Sequence, residues 1–125
     1  MPKTIHAEGA PAAVGPYVHA VRVGDLLYTS GQVGLDPATG KLVPGGIEAE
    51  TKRALDNLAA ILSAAGTGFD RVVKASVFLI DMDDFAAMNG VYASMFGDTR
   101  PARTTVAVSR LPVGARVEID VVASV

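Results

Sequence analysis

Residues Val72 to Ile80, reading Val-Val-Lys-Ala-Ser-Val-Phe-Leu-Ile, form a nearly continuous apolar run rich in β-branched side chains. The run has the length of a strand, and it does not alternate in polarity. That combination predicts a central strand with both faces largely covered. The segments on either side of it are helical. From Ile47 to Ala65 the apolar positions are Ile47, Ala54, Leu55, Leu58, Ile61, Leu62 and Ala65, a stripe at i, i+3, i+4 spacing. Glu48, Glu50, Lys52, Arg53 and Asp56 fall mainly off it. The acidic start suits the helix dipole, and Gly66 is placed to close the helix. After the run, Asp81 to Asp84 can cap a second helix with a stripe of Phe85, Met88, Tyr92, Met95 and Phe96, ended by Gly97. Gly90 inside it costs about 1 kcal/mol against Ala.

The ends of the chain supply the rest of a sheet. Tyr17–Val23 and Leu26–Val33 read as a hairpin across Gly24-Asp25. A short edge strand fits at Thr4-Ile5. Gly31 sits inside the second arm of the hairpin, where a glycine marks a bulge or a close approach of another group. Asp36 to Lys41 is a turn built on Pro37 and Gly40. Near the end, Arg103–Val108 and Arg116–Ser124 read as two strands joined by a Leu-Pro-Val-Gly turn, which predicts neighbours in the sheet. The order β-β-α-β-α-β-β, with no linker or repeat, describes one α/β (α+β) domain over residues 1–125. Its expected form is a mixed sheet with two helices on one face. The mean hydropathy of +0.34 is high for a small domain, so a second subunit is expected on the other face.

Several chemistries find no support. There is no cysteine and no His-containing metal spacing, and no glycine-rich phosphate loop or dinucleotide fingerprint. Tyr28-Thr-Ser-Gly-Gln32 lacks the glycine that a nucleophile elbow places two residues before its serine. No cofactor or metal is therefore expected. A net charge of −2 with scattered basic residues argues against nucleic acid, and no apolar run is long enough for a membrane span. Met1 to His6 has no apolar signal core, so a cytoplasmic protein is expected.

Two residues of the final strands can carry chemistry. Arg103 presents a fork that matches a carboxylate in bidentate geometry, although by spacing alone a surface arginine pairing with an acid at a strand end is the more ordinary reading. Glu118 lies off the apolar face formed by Val117, Ile119 and Val121, where it is a general base toward water or one rung of a solvated charge ladder with Arg116 and Asp120. Tyr17 begins a strand after Gly15-Pro16 and serves either as a hydrogen-bonding phenol or as packing. Asn89, on the polar side of the second helix, faces either a ligand or a loop.

Several motifs in order carry a resemblance. They are Ala12-Ala-Val-Gly-Pro-Tyr17, Tyr28-Thr-Ser-Gly-Gln32, Leu55-Asp-Asn-Leu58 with Ala64-Ala-Gly66, Val73-Lys-Ala-Ser-Val-Phe78, Asp83-Asp-Phe85, Asn89, Pro101-Ala-Arg103, Arg110-Leu-Pro112 and Val117-Glu-Ile119. Over essentially its whole length the chain resembles the RidA/YjgF family of enamine/imine deaminases. The resemblance implies a chorismate-mutase-like fold, a homotrimer and ligand sites in the clefts between subunits. It implies hydrolysis of reactive 2-imino acids, tautomers of 2-aminoacrylate and 2-aminocrotonate, to 2-keto acids and ammonia. It also implies roles: Arg103 binds the substrate carboxylate, Glu118 positions or activates water, and Tyr17, Gly31 and Asn89 line the pocket. Many family members carry Cys where this chain has Thr105, which offers the same backbone amide plus a hydroxyl to the substrate. The rival functions are a non-catalytic binder of small keto or amino acids and an RNA-acting translation inhibitor. A chaperone-like surface is a third.

Overall fold

The computed structural model describes residues 1–125. Six strands and two helices alternate as β1 (Lys3–Ile5), β2 (Ala20–Val23), β3 (Leu26–Thr29), α1 (Gly46–Ala64), β4 (Val72–Leu79), α2 (Phe85–Phe96), β5 (Ala102–Ala107) and β6 (Val117–Ser124). They form one sheet in the order β1-β2-β3-β6-β4-β5. Only β4 and β5 run parallel, joined by the α2 crossover.

This order corrects one expectation. The last two strands do not pair: β6 inserts between β3 and β4, and β5 is left on the edge beyond β4. The Leu-Pro-Val-Gly segment is a crossing from the edge to the middle of the sheet rather than a hairpin turn. Its path needs a short helical turn at Pro112–Gly114 with Val113 at φ 55, a left-handed conformation that a β-branched residue rarely adopts.

Both helices lie on one face, where α1 buries Leu55, Leu58, Ile61 and Leu62 against Leu27, Val77 and Ile119. The α1 stripe is as the spacing predicts, and three polar residues, Glu50, Thr51 and Asn57, are buried with it. Glu50 is buried, and its Oε1 accepts the Arg116 backbone N–H at 2.8 Å, so this acid ties the helix to the entry of β6. Asn57, also fully buried, donates to the carbonyls of Val33 and Leu35 and pins the loop after β3.

The other face of the sheet has no helix on it. Tyr28, Val73 and Val106 are 48%, 49% and 40% exposed, so β4 is covered on one face only, against the expectation of two. No helix is long and apolar enough to cross a membrane.

A bulge interrupts the contact between β3 and β6. Tyr28 pairs with Val122, and Gln32 pairs with Ile119, so four steps along one chain face three along the other. The Thr29 hydroxyl accepts the Val121 N–H at 3.0 Å where the ladder is broken. Gly31 lies in this extra stretch.

Candidate functional site

Arg103 leaves β5 on the helix side of the sheet. Its guanidinium carbon stands 4.7 Å from the centre of the Tyr92 ring and 5.6 Å from that of Phe85, both on α2. Aromatic faces hold the cation without neutralising it, and the fork remains open for a carboxylate. The ion pairs of the chain are Lys52–Asp56 and Arg116–Asp84, and neither involves Arg103. The alternative of a surface arginine paired with an acid therefore does not hold within this chain.

Arg103 lines a cavity of about 240 Å³ together with Asn89, Tyr92, Ala93 and Arg100. Three buried side-chain atoms of the molecule lack a hydrogen-bond partner: Asn89 Oδ1, Tyr92 OH and Thr105 Oγ1. All three lie on α2 or β5. Leaving such atoms unpaired is costly, and native structures tolerate it chiefly where a ligand or water completes them. Burial raises the pKa of the Tyr92 phenol, and Arg103 opposes that rise by its charge and by its approach to the phenol oxygen, an approach that falls short of hydrogen-bond geometry. The phenol therefore stays a neutral hydrogen-bond donor and acceptor at physiological pH.

Glu118 lies elsewhere. It sits on β6 between buried Val117 and Ile119 and projects to the face without helices. Burial raises its carboxyl pKa, and the charge of Asp120 adds to the rise. Gly31 is its close neighbour: a Cβ there would stand 2.7 Å from Glu118 Oε2. The bulge and the glycine are thus explained together, since any side chain at position 31 would displace the carboxylate.

Register shows how far apart the two principal residues are. Arg103 is level with Ala75 on β4, and Ala75 is level with Val121 on β6. These three share the helix face. Glu118 is level with Phe78 and belongs to the opposite face. In one chain Arg103 and Glu118 therefore point to opposite sides of the sheet, with β4 between their strands. The structure brings Asn89 to the cavity of Arg103, and Gly31 to Glu118; Thr105 shares the face of Arg103 two residues on along β5 but does not line that cavity. Tyr17 joins neither group. It is 49% exposed and lines a separate cavity of about 450 Å³ with His6, Glu8 and His19.

Three residues near Arg103 escape a reading of the sequence. Tyr92 and Phe85 belong to an apolar stripe, and only the one-turn spacing of Tyr92 from Asn89 hints at more. Arg100 carries no motif. No cluster of three or more His, Asp or Glu side chains is arranged to hold a metal.

The raised pKa of Glu118 leads to a testable coupling. Its folded-state value lies above the unfolded one, so the folded chain binds the extra proton between the two values. Stability is then greater below this window and is lost as pH rises through it. Glu118→Gln removes the buried charge, so at neutral pH the variant is expected to melt at a higher temperature than the wild type. Thermal melts at several pH values check this. A Tm gain at pH 7 that persists undiminished at acidic pH would contradict it.

Residues 7–125 match the family described as Endoribonuclease L-PSP. The chain is 52% identical over 121 residues to the mouse 2-iminobutanoate/2-iminopropanoate deaminase, covering 97% of this chain and 90% of that protein. Its structure superposes on the YjgF gene product of E. coli with a TM-score of 0.93 at 42% identity, covering 98% of both chains. E. coli TdcF with bound serine gives a TM-score of 0.94 at 38% identity, again covering 98% of each.

Proposed function

The chain belongs to the Endoribonuclease L-PSP family, and we propose that it hydrolyses small 2-imino acids to 2-keto acids and ammonia at sites shared between its subunits. The observation that carries this reading is the unpaired Arg103 on its aromatic bed, in a cavity it shares with the unpartnered Asn89 and Tyr92. A relative more than half identical over nearly the whole chain is named as a deaminase of such imines.

The reaction asks little of a protein. A protonated imine is already electrophilic at C2. The Arg103 fork holds the carboxylate and fixes C2 in place, with the Thr105 amide and hydroxyl and Asn89 beside it. Glu118 orients a water toward C2 and takes its proton, for which a carboxyl pKa raised toward the working pH is suited. Glu118 then returns that proton to the amine nitrogen, and collapse of the tetrahedral adduct breaks the C–N bond, releases ammonia and leaves the keto acid. Gly31 keeps the Glu118 carboxylate unobstructed.

Since Arg103 and Glu118 face opposite sides of one sheet, each site takes one residue from each of two subunits. A homotrimer with its helix-free sheet faces inward supplies such clefts and covers Tyr28 and Val106. Within one chain Tyr17 joins neither residue, so its part in the cleft would also come through the assembly. A cysteine-free chain acting on small metabolites fits the cytoplasm.

The test is to generate 2-iminobutanoate in situ with an amino-acid oxidase and follow keto acid release. Marked acceleration over spontaneous hydrolysis is expected, and a rate equal to that of buffer would overturn the proposal. RNA cleavage, the reading contained in the family's description, would require a phosphate-binding surface. The scattered basic residues and net charge of −2 do not favour one.

A further inference from the structure

The cavity beside Arg103 contains a second arginine. Arg100 lies just after α2 and lines the same space of about 240 Å³ with Asn89, Tyr92, Ala93 and Arg103. Its Nη1 donates to the carbonyls of Gly97 and of Thr99, the latter at 2.9 Å. These bonds anchor one corner of the guanidinium to the end of the helix. Its Nε and Nη2 make no bond within the chain. Neither arginine is in an ion pair, and no acidic residue lines the cavity. Asp98 is in the same loop but lies beyond ion-pair distance of both. By contrast, Arg116 on the other side of α2 is neutralised by Asp84 at 2.8 Å.

A monocarboxylate uses one of these two cations. The other stands at the exposed edge of the cavity without a counter-charge, although its donors are already positioned. The volume falls below the roughly 300–1,000 Å³ of a site for drug-sized ligands, which suits a small metabolite. We propose that Arg100 is a specificity residue that binds a second carboxylate, so that the preferred substrates are 2-imino dicarboxylic acids.

This rests on the deaminase reading, with Arg103 on the carboxylate next to the imine. The distal carboxylate then takes the free edge of Arg100, and Asn89 and Tyr92 line the same cavity. The hydrolysis itself is unchanged. Water adds its oxygen to C2, the C=N bond is lost as ammonia, a C=O bond replaces it, and nothing is oxidised or reduced.

The experiment generates imines in situ from aspartate or glutamate and, separately, from 2-aminobutyrate, using amino-acid oxidases. The readout is the ratio of kcat/KM for dicarboxylic over monocarboxylic imine. The wild type is expected to favour the dicarboxylic imine, and Arg100→Gln to lower that ratio roughly tenfold or more, the worth of one charge-assisted contact. Arg100→Lys keeps the charge and should retain most of the ratio, which separates recognition from a loosened helix end. A wild-type ratio at or below one, or an unchanged ratio in Arg100→Gln, overturns the inference while leaving the deaminase reading intact. If neither imine is accelerated, the deaminase reading fails. Calorimetric titration with 2-oxoglutarate against 2-oxobutanoate then decides the inference alone. Tighter binding of 2-oxoglutarate that Arg100→Gln abolishes upholds it, and equal affinities overturn it.

Discussion

Arg103→Ala is expected to lower kcat/KM for 2-iminobutanoate by roughly 10²–10⁴-fold, the usual loss when one partner of a bidentate charged pair is removed. The loss should appear in kcat as well as KM. Without the fork the carboxylate is no longer fixed, and C2 no longer meets the water held by Glu118. Folding should survive. The residue lies on an edge strand and forms no ion pair, and truncation leaves no charge stranded. Arg103→Lys gives an informative intermediate: it restores charge but not the planar fork, nor an equal fit to the rings of Tyr92 and Phe85, so recovery should be partial. Steady-state kinetics on both variants, with thermal melts to confirm folding, make the comparison. If Arg103→Ala retained the wild-type rate, the carboxylate would have to be held elsewhere.

The helices and strands of this chain were legible because their signals are local. The stripe from Leu55 to Leu62 and the β-branched run from Val72 each state a period that a few neighbours suffice to read. Strand order is not local. Nothing in Arg103–Val108 or Arg116–Ser124 says that β6 should enter between β3 and β4. That placement follows from burial of Val117, Ile119 and Val121 beneath α1, and from the α2 crossover that puts β5 beside β4. A short loop with Pro and Gly reads as a hairpin unless the competing partners are known.

The candidate site divides in the same way. Arg103, Glu118, Asn89 and Gly31 could be named because residue type and motif single them out. Tyr92, Phe85 and Arg100 could not. Tyr92 has the spacing of a core residue and is one. Its second role arises only when β5 lays a guanidinium across the ring. Glu50 shows the converse. It has the appearance of a solvent-facing helix acid, yet it is buried on a backbone N–H contributed by β6, far along the chain. Gly31 was legible as an anomaly in its strand, and the structure supplies the reason, a carboxylate too close for any Cβ.

Mixing two inactive variants is expected to restore activity. Glu118→Gln removes the base and should on its own lower kcat by roughly 10²–10⁴-fold. Arg103→Ala removes the clamp. If each site takes Arg103 from one subunit and Glu118 from its neighbour, then co-expressed variants assemble some sites with both residues intact. With equal amounts and random assembly, half the subunits carry Arg103 and half the neighbours carry Glu118. About a quarter of the sites should then be complete, and activity should recover to about a quarter of wild type from near zero. Differently tagged variants purified in tandem, with mass measured by light scattering, identify the mixed assemblies. A site contained in one chain predicts no recovery, since every chain would lack one of the two residues. The opposite-face placement of Arg103 and Glu118 leaves no route by which one sheet could bring them together, so the recovery tests the assembly and the mechanism at once.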